Sequence, residues 1–241
     1  MGKEEEAADY EHLAKLAGIE KKLGVPEGFT RSLFDEGTDW EFAVKLIVLL
    51  EGALTKVLTA HLHNDAVEKH IQRLNLNGRS SKVALAQDLG ILTKAESKAM
   101  LALAEIRNAF AHRVENISGD LAQFAKAMPE QDRANFVKAG LMVPEEMVEG
   151  IKFLWGEEAF HLHLRPLMWS IGESLLAVLA TQDEHAGRER RRRVWLEQAT
   201  KVGERHFTLV DLFRHGQALS SDAADTPLAL KEATKAGAAR K

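Results

Sequence analysis

Cysteine is absent from the 241 residues. Disulfides, thiolate metal sites and nucleophilic cysteine chemistry are therefore excluded. Tyrosine occurs once and proline five times, and β-branched runs are rare. Sheet formers and helix breakers are thus both scarce, while Ala, Leu, Glu and Lys abound, a balance that favours helix. Long apolar runs are missing too. The longest, Leu46 to Leu50, falls far short of the ~20 residues that span a bilayer, so no membrane partner is expected. The opening MGKEEEAADY is acidic and lacks the apolar segment of a secretory signal, which makes a cytoplasmic location the expectation. Neither phosphate-cradling glycine pattern, G-x-x-x-x-G-K-[ST] or G-x-G-x-x-G, occurs, and Gly172-Glu173-Ser174 does not continue as a hydrolase elbow. Kinase, NTPase and serine-hydrolase chemistry are set aside, and no cofactor is expected. Positive charge is not in excess either. Lys and Arg number 32 against 36 Asp and Glu, a net charge of -4. A protein coated with basic residues is excluded, so any nucleic-acid site must be a local patch.

What is present reads as a series of helices. Leu13, Leu16, Ile19 and Leu23 form one stripe of a helix over Glu6 to Leu23, which Gly24-Val25-Pro26 ends. A short helical turn is predicted over Thr30 to Glu36. Thr38 and Glu41 make a T-x-x-E capping box before a helix over Asp39 to about His61. A shorter helix spans Asn64 to about Leu74. Ser80 or Ser81 can cap another, through Leu85 to Leu89. Thr93 and Glu96 form a second capping box before a helix over Lys94 to about His112. Leu121 to Met128 and Glu130 to Ala139 read as two short helices, with Pro129 at a start, and Pro144 opens another through Leu154. The stretch Glu158 to Arg165 suits a strand by its alternation and a helix by Phe160, Leu164 and Met168. A helix is expected from Pro166 to about Ala180, and one carrying Val194, Leu196 and Val202. The fold class is therefore all-α, a helical bundle with additional C-terminal helices and a loose tail. The division expected is an N-terminal helical extension over 1–36, a bundle core over 37–120, further helices packing on it over 121–215 and a loose tail over 216–241.

One segment carries a chemical pattern, Arg107-Asn108-Ala109-Phe110-Ala111-His112. At ~3.6 residues per turn, Glu105, Asn108 and His112 fall near one face, and Arg107 lies about 140° from His112. A long arginine could still reach the same pocket. Histidine exchanges a proton near neutral pH, arginine offers a permanent planar cation, and asparagine can orient a reacting group. Such a set suits cleavage of a phosphodiester without a metal. The imidazole would activate a ribose 2′-hydroxyl or protonate the leaving oxygen, and the guanidinium would steady charge on the phosphoryl oxygens.

The R-N-x-x-x-H pattern resembles the signature of the HEPN superfamily of helical-bundle proteins. The wider stretch Trp40 to Val114 resembles MtlR-like (mannitol repressor-like) helical proteins, through Ser81-Lys82-Val83, Leu89-Gly90-Ile91-Leu92 and Ile106-Arg107-Asn108 with Phe110-Ala111-His112. The resemblance implies a bundle that forms homodimers. In catalytic members, paired Arg and His residues across a dimer cleft cut RNA without metal. Carried onto this chain, the roles fall to Arg107, Asn108 and His112, with Glu51 on the earlier helix and Glu105 in support. The functions implied are toxin, defence or RNA-regulatory nuclease. MtlR-like members imply the alternative, a non-catalytic regulatory module that binds a partner protein or small ligand. Family likeness alone does not choose between them.

Other features have plainer readings. His112 and Arg107 could simply tie down a helix end. Arg188, Arg190, Arg191, Arg192 and Arg193 form a basic run that could hold RNA phosphates, or could be a solvated helix face. Trp195 beside it could stack on a base or anchor packing. The triplets His61-Leu62-His63 and His161-Leu162-His163 diverge on a helix and lack neighbouring carboxylates, so no metal site is expected. A DNA-reading helix-turn-helix over Arg79 to Arg107 is disfavoured by Glu96 and Glu105 along its second helix.

Overall fold

The computed structural model describes residues 3–111, 119–140 and 157–202, with side chains over 12–111, 119–140 and 163–198. No strand occurs among the described residues, and the fold is all-α. The helices are α1 (Lys3–Leu23), α2 (Phe29–Asp35), α3 (Asp39–His61), a 3₁₀ turn (Asp65–Val67), α4 (Glu68–Gln72), α5 (Lys82–Asp88), α6 (Lys94–Ala111), α7 (Leu121–Ala127), α8 (Glu130–Gly140) and α9 (Glu157–Val202). The chain divides into two compact units between Asp183 and Glu184. The helix expected from Pro144, the tail from Gly216 and His112 lie outside the described residues.

The long central helix α3 begins where its capping box predicts. Glu41 N–H donates to the Thr38 hydroxyl at 3.2 Å, and Thr38 N–H donates back to the Glu41 carboxylate at 3.1 Å. Its apolar residues are too many for one stripe. Phe42, Leu46, Ile47, Leu50, Leu54, Val57 and Leu58 are all fully buried, which is the pattern of a helix covered on several sides. It packs against α2, α4, α5 and α6, while α6 also packs on α8. Each Leu or Ile so buried contributes roughly 1.5–3 kcal/mol relative to exposure. Leu16 and Ile19 of α1 and Leu33 of α2 belong to the same core.

Two glycines are required by backbone shape. Gly37, at φ 85, turns the chain between α2 and α3, and a side chain there would meet the Glu41 carboxylate. Gly90, at φ 69, follows α5 and closes it in a Schellman pattern. Ile91 N–H donates to the Ala86 carbonyl at 2.9 Å and Gly90 N–H to the Gln87 carbonyl at 3.0 Å.

Two expectations change, and one open choice falls to helix. The Asn64 to Leu74 helix is instead a 3₁₀ turn followed by the short α4. The Glu158 to Arg165 stretch is helical, and the backbone leaves helical geometry only at His163, φ -132 and ψ 28. That break sits three residues before Pro166, whose ring would otherwise clash with the preceding turn. The helix expected to end near Ala180 runs on to Val202. Gly187 does not stop it, because an interior glycine costs only about 1 kcal/mol.

Candidate functional site

Helix α6 starts at its own capping box, with Glu96 N–H donating to the Thr93 hydroxyl at 3.2 Å and Thr93 N–H donating to the Glu96 carboxylate at 2.6 Å. Met100, Leu103 and Phe110 are fully buried along it. Phe110 meets Phe124 of α7 edge-on, with centroids 5.3 Å apart. With those residues fixed in the core, Arg107 and Asn108 lie partly exposed at i+3 and i+4 from the buried Ala104.

Arg107 and Asn108 border a polar cleft of about 310 Å³. Glu51 of α3 lies on one wall, and the segment from Gln72 to Asn77 forms another. Ala104 is small, which leaves room beneath Arg107 and Asn108. The structure thus brings Arg107, Asn108 and Glu51 to one place. Arg107 is half-buried, and its Nε is sealed from solvent without a hydrogen-bond partner. Arg73 adds an exposed second cation.

Lys82, to which the sequence reading gave no role, meets this cleft through Glu51. Lys82 is only 3% exposed, and its ammonium pairs with Glu51 Oε1 at 2.5 Å. Its position follows from the cap of α5, where Ala84 N–H donates to the Ser81 hydroxyl at 3.1 Å. Lys82 N–H also donates to the Asn75 carbonyl at 2.9 Å, fastening the 72–77 segment to α5. A lysine in the first helical turn is unfavourable to the helix dipole. That mismatch is the signal that a carboxylate must sit nearby. Ser81→Ala should cost about 1 kcal/mol, the usual worth of such a cap, read as a fall in the urea midpoint.

Charge balance follows directly. Lys82 neutralises Glu51, so the cleft keeps the two positive charges of Arg73 and Arg107. No carboxylate pairs with either arginine among the described residues. Such a site attracts an anion.

Glu105 does not join this group. It lines a separate groove of about 860 Å³ between α6 and α8, with Lys94, Lys98, Asp132 and Asn135. The face shared by Glu105 and Asn108 in a helical projection is split, because α8 covers one side of it and the 72–77 segment the other. His112 follows the last residue of α6 and lies outside the described residues.

In the second unit, Arg188, Arg190, Arg191, Arg192 and Arg193 are all exposed on α9. Arg188 pairs with Glu184 one turn earlier at 3.7 Å. At 100° per residue, four successive arginines wrap most of the helix and do not form one stripe. Trp195 is half-buried. Among the described residues no His, Asp or Glu cluster suited to a metal occurs, and no helix is long and apolar enough to cross a membrane. Comparisons with protein-family models, with curated proteins and with solved structures find nothing that matches this chain.

Proposed function

We propose that this chain is a metal-independent endoribonuclease of HEPN type whose substrate phosphate sits in the cleft between α3 and α6. The observation that carries the reading is the convergence of Arg107, Asn108 and Glu51 on one polar cleft whose two arginines pair with no carboxylate among the described residues. Arg107 clamps the phosphoryl oxygens, Asn108 orients the reacting group and His112 moves the proton. The ribose 2′-oxygen attacks phosphorus as its proton leaves, the bond to the 5′-oxygen breaks, and that oxygen takes up a proton. A 2′,3′-cyclic phosphate and a free 5′-hydroxyl result, with no other reactant needed. Glu51 supports the site through its ion pair with Lys82. The arginines of α9 are a separate patch that holds RNA phosphates by charge and not by sequence. Two copies of the chain form the working homodimer.

The test is cleavage of labelled RNA in EDTA by the wild type, Arg107→Ala and His112→Ala. The wild type should cut, and each variant should lose at least ~100-fold, the scale of removing a group that stabilises transition-state charge. Equal rates in all three, or no cutting by the wild type, would end the nuclease reading.

A second reading is favoured by the sealed Nε of Arg107, which a ligand in the cleft does not reach. The chain is then a non-catalytic regulatory module that binds a partner protein or ligand. In that case His112→Ala lowers the melting temperature and leaves RNA untouched.

A further inference from the structure

The cleft's third wall has a composition that phosphate binding does not require. From Gln72 to Asn77 the lining reads Gln-Arg-Leu-Asn-Leu-Asn, and Asn108 faces it from α6. Gln72, Asn75 and Asn77 are all exposed there. Gln72 already donates to Glu68 at 3.0 Å, which leaves the side chains of Asn75 and Asn77 as the ones open to a ligand. The Asn75 backbone is not open, because its carbonyl takes the Lys82 N–H. The side chains therefore project from a fastened turn and not from a floppy loop.

Carboxamides present one donor and one acceptor side by side, which matches the paired donor and acceptor of a base edge. Proteins that read single-stranded RNA do so on such edges, because unstacked bases expose them. The cleft volume of about 310 Å³ lies at the small end of the ~300–1,000 Å³ range for ligand sites, so it has room for one nucleotide and not for a duplex. Leu74 and Leu76 offer apolar contact beside the amides.

We infer that the 72–77 turn is a base-reading element: the cleft takes one nucleotide of single-stranded RNA, its phosphate against Arg107 and Arg73 and its base edge against Asn75 and Asn77. The inference rests on the proposed RNA site and adds sequence preference to it. Asn75 and Asn77 set which base is accepted, while Arg107 and Arg73 bind all sequences alike.

Binding and cutting are separated by using His112→Ala protein in EDTA. Fluorescence anisotropy is measured with labelled eight-nucleotide homopolymers of A, C, G and U. At least one homopolymer should bind about 10-fold tighter than the weakest. Adding Asn75→Ala and Asn77→Ala should erase that difference, while adding Arg107→Ala should weaken all four by a similar factor and keep their order. Both asparagine side chains are exposed, so an unchanged melting temperature is expected and is checked alongside. Four equal affinities, or a preference that survives the double asparagine change, would overturn the inference and leave an RNA site without base reading. A preference that the asparagine change erases, in a protein whose wild type cuts nothing, would uphold base reading and end catalysis. Absence of binding to every homopolymer would overturn both.

Discussion

Glu51→Ala is expected to destabilise the protein by about 3 kcal/mol, more than its place at the rim of a cleft suggests. The cost falls on its partner. Lys82 has a side chain 4% exposed against 31% for Glu51, so loss of the carboxylate strands a buried ammonium. Removing one member of a buried pair costs roughly 3–5 kcal/mol. The lower figure applies here because the cleft can admit water to the vacated side. At ~2–4 °C per kcal/mol for a chain of this size, the melting temperature should fall by about 6–12 °C. Lys82→Met added to Glu51→Ala should recover most of the loss, since an apolar side chain of similar length suits the same pocket. The double-mutant cycle reads the coupling directly. If Glu51→Ala melts like the wild type, Lys82 has another acceptor and the account of the cleft's charge is wrong.

Arg165→Ala is expected to cost a similar amount, about 3 kcal/mol, for a different reason. Its guanidinium donates to Asp39 Oδ1 at 2.9 Å and to the carbonyls of Phe34 at 2.6 Å, Glu36 at 3.4 Å and Gly37 at 3.4 Å. It also lies 4.8 Å from the centre of the Phe42 ring. The other oxygen of Asp39 accepts the Leu121 N–H at 2.8 Å. One side chain thus ties α9 to the α2–α3 corner and, through Asp39, to the start of α7. Hydrogen bonds to a charged group are worth about 1.5–3 kcal/mol each at best, and the side chain is only 21% exposed. Arg165→Lys should recover little, because an ammonium cannot place a planar fork across carbonyls that face different ways. Equilibrium urea unfolding should show a lower midpoint with an unchanged slope. A lysine variant as stable as the wild type would show that charge alone, and not the fork, holds the corner.

Helix positions were legible in the sequence where local chemistry sets them. The starts of α3 and α6 follow from their T-x-x-E boxes, and the end of α5 from Gly90. The course of α9 was not legible, because its continuity past Gly187 depends on helix propensity outweighing one glycine. The α4 region is helical over 65–72, but its first turn is 3₁₀. Its residues are largely exposed, so little buried surface holds that turn to α-helical geometry. At the candidate site, Arg107, Asn108 and Glu51 could be named from helical spacing and family likeness together. Lys82 and the 72–77 wall could not, because they arrive through tertiary packing between segments that no short motif links. Glu105 was misplaced for the complementary reason: angular proximity on a helix says nothing about which neighbour covers each side.

Glu20 makes α1 inseparable from α2. This carboxylate, 2% exposed on α1, accepts the backbone N–H of Gly28 at 2.8 Å and of Thr30 at 2.7 Å, and the Thr30 hydroxyl at 2.6 Å. The start of α2 lacks a cap of its own and borrows one from the preceding helix. A chain trimmed to begin after Leu23 would leave three polar groups without an acceptor and bare the apolar floor that Leu16 and Ile19 cover. The shortest self-sufficient piece of this protein must therefore begin upstream of Leu16, and the opening segment is a keystone of the bundle and not an appendage to it.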